Sequence, residues 1–126
     1  MPAITSSAPG KIILCGEHAV VYGAPAIALP VFQVNTKTVV VAKPAAPEGE
    51  LRIIAPCINL DSRLDSLDND HPLKAASELV KQALGINRFQ ACEIRISTSI
   101  PIAAGLGSSA SVTVSLSRAL SAFHGH

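Results

Sequence analysis

The residues best suited to chemistry lie in the segment Pro101–Ser111, which reads Pro-Ile-Ala-Ala-Gly-Leu-Gly-Ser-Ser-Ala-Ser. Gly105 and Gly107 let a backbone approach a ligand closely and take up positive φ values. Beyond them Val112, Leu116, Ala119, Leu120 and Phe123 recur at helical spacing. A glycine-rich turn feeding a helix offers free N–H groups and the positive end of the helix dipole, which together suit a phosphate. Ser108 and Ser109 add hydroxyls able to bond phosphate oxygens or to reach a magnesium ion. The residues alone leave a second reading open, a Gly/Ser turn whose serines simply cap the helix. The pattern is not a Walker A loop, since GxxxxGK(S/T) is absent. Gly105-Leu106-Gly107-Ser108-Ser109-Ala110 formally satisfies GxGxxA, but no acidic residue follows at the distance a dinucleotide fingerprint needs.

These residues need elements to position them. From Ala3 to Leu29 the chain is apolar and interrupted by Gly10, Gly16, Gly23 and Pro25, a pattern that predicts short strands with tight turns. Val34–Val41 is β-branched and predicts a strand. Pro44, Pro47 and Gly49 mark a turn, after which Leu51–Ala55 reads as the returning strand of a hairpin. Residues Asn59–Asp70 are polar and read as a solvated loop. Its Asp61, Asp65, Asp68 and Asp70 lack the glycine and closing glutamate of a calcium loop.

Pro72 suits a first helical turn, with Asp70 or His71 as the cap. Leu73, Ala76, Val80, Ala83 and Leu84 then follow at helical spacing up to Gly85. Cys92, Ile94 and Ile96 alternate with Glu93, Arg95 and Ser97, which predicts a half-buried strand. The last helix is expected to turn Ser111, Ser115 and Arg118 away from its apolar face. Strands, helix, strand, helix is the order of an α+β domain.

Composition narrows the functions on offer. A chain of 126 residues can bury a core without disulfides or metals. Net charge is +1, aromatic residues make up 3% and there is no Trp, so nucleic acid has neither a basic patch nor stacking platforms to bind. Cys15, Cys57 and Cys92 are odd in number and widely spaced, which argues against a disulfide framework or a zinc site and suits a reducing cytoplasm. No signal-peptide pattern opens the chain, and its apolar runs are too short to span a bilayer. Charged residues reach only 15%, which suggests that part of the surface is normally covered.

Pro101–Ser111 resembles the second signature of the GHMP kinases, in which this loop wraps nucleotide phosphates. A separate segment, Ala8-Pro-Gly-Lys-Ile-Ile-Leu-Cys-Gly-Glu-His-Ala-Val-Val-Tyr-Gly23, resembles the first signature, and its Glu-His-Ala-Val-Val-Tyr-Gly ending is most similar to that of mevalonate kinases. The resemblance covers essentially the whole chain. It implies the N-terminal, ATP-binding GHMP domain over residues 1–126, an α+β fold with a mixed sheet and helices on one side, present only in part. Lys11 then matches a lysine near the substrate hydroxyl and the transferred phosphate, where a cation offsets developing charge. Glu17 and His18 match positions lining the substrate side. Pro101, Ala104, Gly105, Leu106, Gly107, Ser108, Ser109 and Ala110 match the phosphate-wrapping loop, and Ser109 also a magnesium ligand.

The implied cofactors are ATP and Mg2+, and the implied activity is phosphorylation of the primary hydroxyl of mevalonate. No nucleic-acid or membrane partner is expected, and a homodimer is an assembly the resemblance allows. The family's acidic metal ligand, its aspartate base and a second domain with a third glycine-rich motif would all lie beyond His126. The chain is therefore expected to be a piece of a longer enzyme, inactive by itself. Two rivals stand beside this reading: a kinase of the same superfamily acting on phosphomevalonate, homoserine or galactose, and a non-catalytic nucleotide-binding module.

Overall fold

The computed structural model describes residues 3–16, 18–101 and 108–125. Five strands and two α-helices account for most of them: β1 (Ala3–Cys15), β2 (Ile27–Ala42), β3 (Leu51–Ala55), β4 (Leu60–Arg63), α1 (Pro72–Leu84), β5 (Cys92–Thr98) and α2 (Ser108–Phe123). The strands form one mixed sheet in the order β1-β2-β5-β3-β4, in which the β3–β5 pair alone is parallel.

Three sequence expectations about the strands are corrected. Leu51–Ala55 does not return along Val34–Val41. It runs parallel to β5 and forms its hairpin with β4, through a 3-10 turn at Pro56–Ile58 and Asn59 at φ 53°. The space beside β2 is taken on both sides, by β1 and by β5. The segment Asn59–Asp70 is not simply a solvated loop, since it contains edge strand β4 and a short 3-10 turn at Leu64–Ser66. The glycines of the first 29 residues also interrupt less than expected. β1 runs for 13 residues and absorbs irregularities at Pro9/Gly10 and Ile13/Cys15 as bulges. β1 and β2 extend together beyond the rest of the sheet as a two-stranded ribbon, since β5 covers only Thr36–Ala42 of β2.

The alternation read in Cys92–Ser97 holds, with Cys92, Ile94 and Ile96 buried. They share one face of the sheet with Thr36, Thr38 and Val40 of β2 and Leu51, Ile53 and Ala55 of β3, and both helices pack there. Helix α1 is bounded as its sequence implies. The His71 side chain accepts from the Leu73 N–H, Pro72 occupies the first turn, and Gly85 closes the end in the left-handed region.

Helix α2 is phased differently from the sequence expectation. Leu116, Ala119 and Leu120 enter the core, but Ser111 and Ser115 are buried too, at 3% and 0% exposure. Their hydroxyls answer polar groups of the sheet beneath. Ser111 Oγ donates to the Ala8 carbonyl at 2.8 Å, while Ser115 Oγ lies 3.2 Å from the Ser6 carbonyl and 2.8 Å from Thr38 Oγ1. Arg118 Nη1 donates to the Ser7 carbonyl at 3.2 Å. The serine side of α2 is thus a seam against the edge strand β1, where small hydroxyls allow close approach and bond its carbonyls, including that of buried Ala8.

Candidate functional site

The seam fixes where the first turn of α2 stands. Ser111 anchored to Ala8 holds Ser109 and Ala110 beside the bulged stretch of β1 that carries Lys11. Two cavities open on either side of this turn. One, of about 330 Å³, is lined by Lys11 and its β1 neighbours, by Ala28, Leu29 and Pro30 of β2, and by Ala110, Ser111, Val114 and Arg118 of α2. The other, of about 300 Å³, is lined by Cys57, Ile58, His71, Pro72, Leu73, Thr98, Ser109, Val112 and Thr113.

Neither lining contains an Asp or a Glu among the described residues. The first cleft instead has two cations in its lining, Lys11, which shares it with Ala110 of the first turn, and Arg118, ten residues into the helix and bonded to the Ser7 carbonyl. The first-turn amides of α2 have no intrahelical acceptor, so the dipole and Lys11 favour an anion at the helix start. The second cavity is mostly apolar, with Ile58, Pro72, Leu73 and Val112 in its walls. A polyanion attached to a flat apolar group would find its charge at the helix end and its ring in that cavity.

Of the residues singled out from sequence, Lys11 and Ala110 line the first cleft, and Ser109 lines the second cavity. Pro101 is exposed just after β5, on the approach to the first turn of α2. Ser109 is also the carbonyl partner of the Thr113 hydroxyl at 3.0 Å. His18 is exposed in the connection at the tip of the β1–β2 ribbon and lines neither cavity. Glu17, Ala104, Gly105, Leu106 and Gly107 lie outside the described residues, and of Ser108 only the backbone, which starts α2, is described.

Sequence reasoning missed Arg118, assigned to the outward face, and the group Cys57, Ile58, His71, Thr98 and Thr113. Arg118 carried a signal in its place seven residues after Ser111, on the same helical side. The second group comes from four separate segments, and nothing local in the sequence joins them.

The donor set was tested for magnesium. Among the described residues no group of three or more His, Cys, Asp or Glu side chains could hold a metal. Ser109 offers one neutral oxygen, so a hard cation here would need most of its ligands from phosphate and water. Asp61 and Asp65 are committed elsewhere, to Arg52 and Arg63.

A larger depression of about 760 Å³ lies on the other face of the sheet, lined by Lys43, Glu50, Arg52, Arg63 and Glu93 among others. Its charges answer one another, through Lys43–Glu93 at 3.2 Å and Arg63–Glu50 at 3.7 Å, which leaves little for a ligand. Partial burial pushes the Glu93 carboxyl up, but bonds from Lys43 and the charge of Arg95 outweigh it, so its pKa falls below the ordinary value. Burial alone raises the Cys92 thiol to about 12, which makes it a core residue rather than a nucleophile. All three cysteines are free thiols.

The fold and the sequence both have known relatives. Residues 71–126 match the family described as the GHMP kinases N terminal domain. The chain is 39% identical to a mevalonate kinase of Thermococcus gammatolerans, over 94% of this chain and 38% of that protein. It is 38% identical to a mevalonate kinase of Archaeoglobus fulgidus, over 93% of this chain and 37% of the relative. The crystal structure of the Methanococcus jannaschii mevalonate kinase superposes with a TM-score of 0.77 at 30% identity, covering 98% of this chain and 41% of that one. The chain thus spans less than half the length of the relatives it matches. With its fold shared and nearly its whole length aligned with these proteins, this chain belongs to the GHMP kinase family.

Proposed function

We propose that the chain forms the nucleotide-binding N-terminal part of an ATP- and magnesium-dependent kinase that phosphorylates the primary hydroxyl of mevalonate. One observation carries the reading: the first turn of α2 stands between a cleft holding Lys11 and Arg118 and an apolar cavity closed by His71 and Ile58. The β- and γ-phosphates lie at the helix end, the nucleoside occupies the apolar side, and the acceptor hydroxyl enters on the Lys11 side. The names of the similar proteins supply the substrate.

Transfer moves the γ-phosphoryl group from the bridging oxygen of ADP to the hydroxyl oxygen. That reaction asks the protein for alignment and charge compensation more than for covalent chemistry. Lys11 offsets charge on the transferred group and favours the alkoxide character of the attacking oxygen. Magnesium, when bound with the nucleotide, screens the phosphates, and Ser109 contributes one oxygen to it. The hydroxyl proton needs an acceptor, and no carboxylate lines either cavity among the described residues. Following the family resemblance, we place that acceptor and the remaining metal ligand in parts of the polypeptide outside this chain, and propose that the 126-residue chain alone does not turn over. Three free thiols fit a reducing cytoplasm as the working compartment.

The test is ADP release by the full-length protein with mevalonate, phosphomevalonate, homoserine and galactose offered in turn. Turnover with mevalonate is expected. Turnover with another member of the panel and none with mevalonate overturns the substrate assignment. No ADP from any of them overturns the kinase.

A further inference from the structure

We propose that His71 recognises the nucleobase, donating from Nε2–H to a ring nitrogen of the purine seated in the 300 Å³ cavity. The proposal rests on the reading of that cavity as the nucleoside seat.

Histidine is an unusual N-cap, where Ser, Thr, Asp and Asn dominate. Here Nδ1 of His71 accepts the Leu73 N–H at 3.2 Å, with the residue in extended backbone geometry before Pro72. A nitrogen that accepts carries no proton, so the neutral ring must carry its hydrogen on Nε2. The cap thereby decides the tautomer and turns the other nitrogen into an obligatory donor.

No described residue accepts from that nitrogen, although the side chain is half-buried in the cavity wall. A donor left free in the lining of a mostly apolar cavity stabilises whatever brings it an acceptor. The other polar groups of the lining are less available. Thr98 Oγ1 already contacts Thr36 Oγ1, the Asn35 carbonyl and the Ile100 N–H. The Thr113 hydroxyl gives its proton to the Ser109 carbonyl. Cys57 offers only a weak donor. Ser109 also brings a hydroxyl to the lining, but it rotates freely, whereas the cap fixes the tautomer of His71. Pro72 and Leu73 follow it directly in the chain and Ile58 joins them in the lining, all apolar surface against which a flat ring can lie. Purines carry ring-nitrogen acceptors at positions 1, 3 and 7, which matches a single N–H donor.

The experiment uses the full-length protein, with ATP and its 1-deaza, 3-deaza and 7-deaza analogues as probes. His71→Asn keeps an oxygen acceptor for the cap while removing the imidazole donor. It is expected to unfold at the wild-type temperature yet bind ATP about fivefold more weakly, the scale of one neutral hydrogen bond. One of the three analogues is expected to bind the wild type about fivefold more weakly than ATP and to bind the variant no worse than ATP does. Nitrogen-15 spectra of the ring should show the proton on Nε2, with its signal shifting when ATP is added. Equal ATP affinity of variant and wild type, three analogues that all bind like ATP, or a proton on Nδ1 would each overturn the assignment. If ATP moves the amide signals of Cys57, Ser109 and Thr113 while those results are negative, this inference alone falls. If ATP moves none of those amides, the nucleoside seat falls and the role of His71 with it.

Discussion

Ser115 offers the most direct probe of how α2 is held over β1. Its hydroxyl is completely buried, 3.2 Å from the Ser6 carbonyl and 2.8 Å from Thr38 Oγ1. One hydroxyl can satisfy both, donating to the carbonyl and accepting from the threonine. In Ser115→Ala both partners lose their bond, one on fully buried Thr38 and one on half-buried Ser6. At about 1 kcal/mol for each lost bond the cost is about 2 kcal/mol. Alanine returns about 0.5 kcal/mol through its better helix propensity, which leaves a net loss of about 1.5 kcal/mol. Ser121→Ala is the control, since Ser121 is half-exposed in the same helix and bonds no described group, so the propensity gain should appear alone. Urea unfolding followed by circular dichroism measures both, and Ser115→Ala should shift the midpoint down with an unchanged slope. If the two variants were equally stable, the serine side of α2 would face solvent. The placement of Ser109 and Ala110 beside Lys11 would then lose its physical basis.

Three further outcomes follow from the geometry. Lys11→Ala should lower kcat by about 100-fold or more, as loss of a charge-stabilising group does, while the unfolding temperature of this half-buried position moves little; ADP-release kinetics beside a melting curve separate the two. Glu93 is held below its ordinary pKa, so its contribution to stability is present at neutral pH and is lost as pH falls through the lowered value. Lys43→Met should therefore cost about 0.5 kcal/mol at pH 7 and nothing once the carboxylate is protonated, and a gap in urea midpoint that persisted in acid would contradict the pairing. Gly16 sits at φ +90°, and a Cβ there would lie 2.6 Å from the Pro25 carbonyl oxygen. Gly16→Ala should cost at least about 1–2 kcal/mol from the positive φ alone, seen as a lower melting temperature; an unchanged value would mean that the tip of the ribbon is not built this way.

Local chemistry was legible where it alone decides structure. Pro72 and Gly85 bracket α1 because one fixes φ for the first turn and the other accepts the left-handed exit. The alternation of Cys92–Ser97 showed β5 because one face of the sheet is buried. The resemblance to two signatures implied that Lys11 and the loop before α2 share a site, and the proposed function rests on that expectation. Strand partners were not legible. Leu51–Ala55 pairs with a strand that follows 37 residues later at Cys92, and no turn residue announces a parallel crossover. Edge strand β4 is hidden in a polar stretch because Asp61 and Arg63 point to solvent and only Leu60 and Ser62 are partly covered. Ser111 and Ser115 read as an exposed face because serine is polar, yet they are buried against the carbonyls of an edge strand. The cavity beside His71 needs four segments to meet, so only the folded chain shows it.

The central claim is tested most directly by identifying the product. Full-length protein is incubated with Mg-ATP and mevalonate and followed by phosphorus-31 NMR, beside the Lys11→Ala variant. Our account predicts ADP together with a phosphomonoester on the primary hydroxyl of mevalonate, formed at a rate that collapses in the variant. ADP with inorganic phosphate in place of the ester, or equal rates in the two proteins, would contradict it.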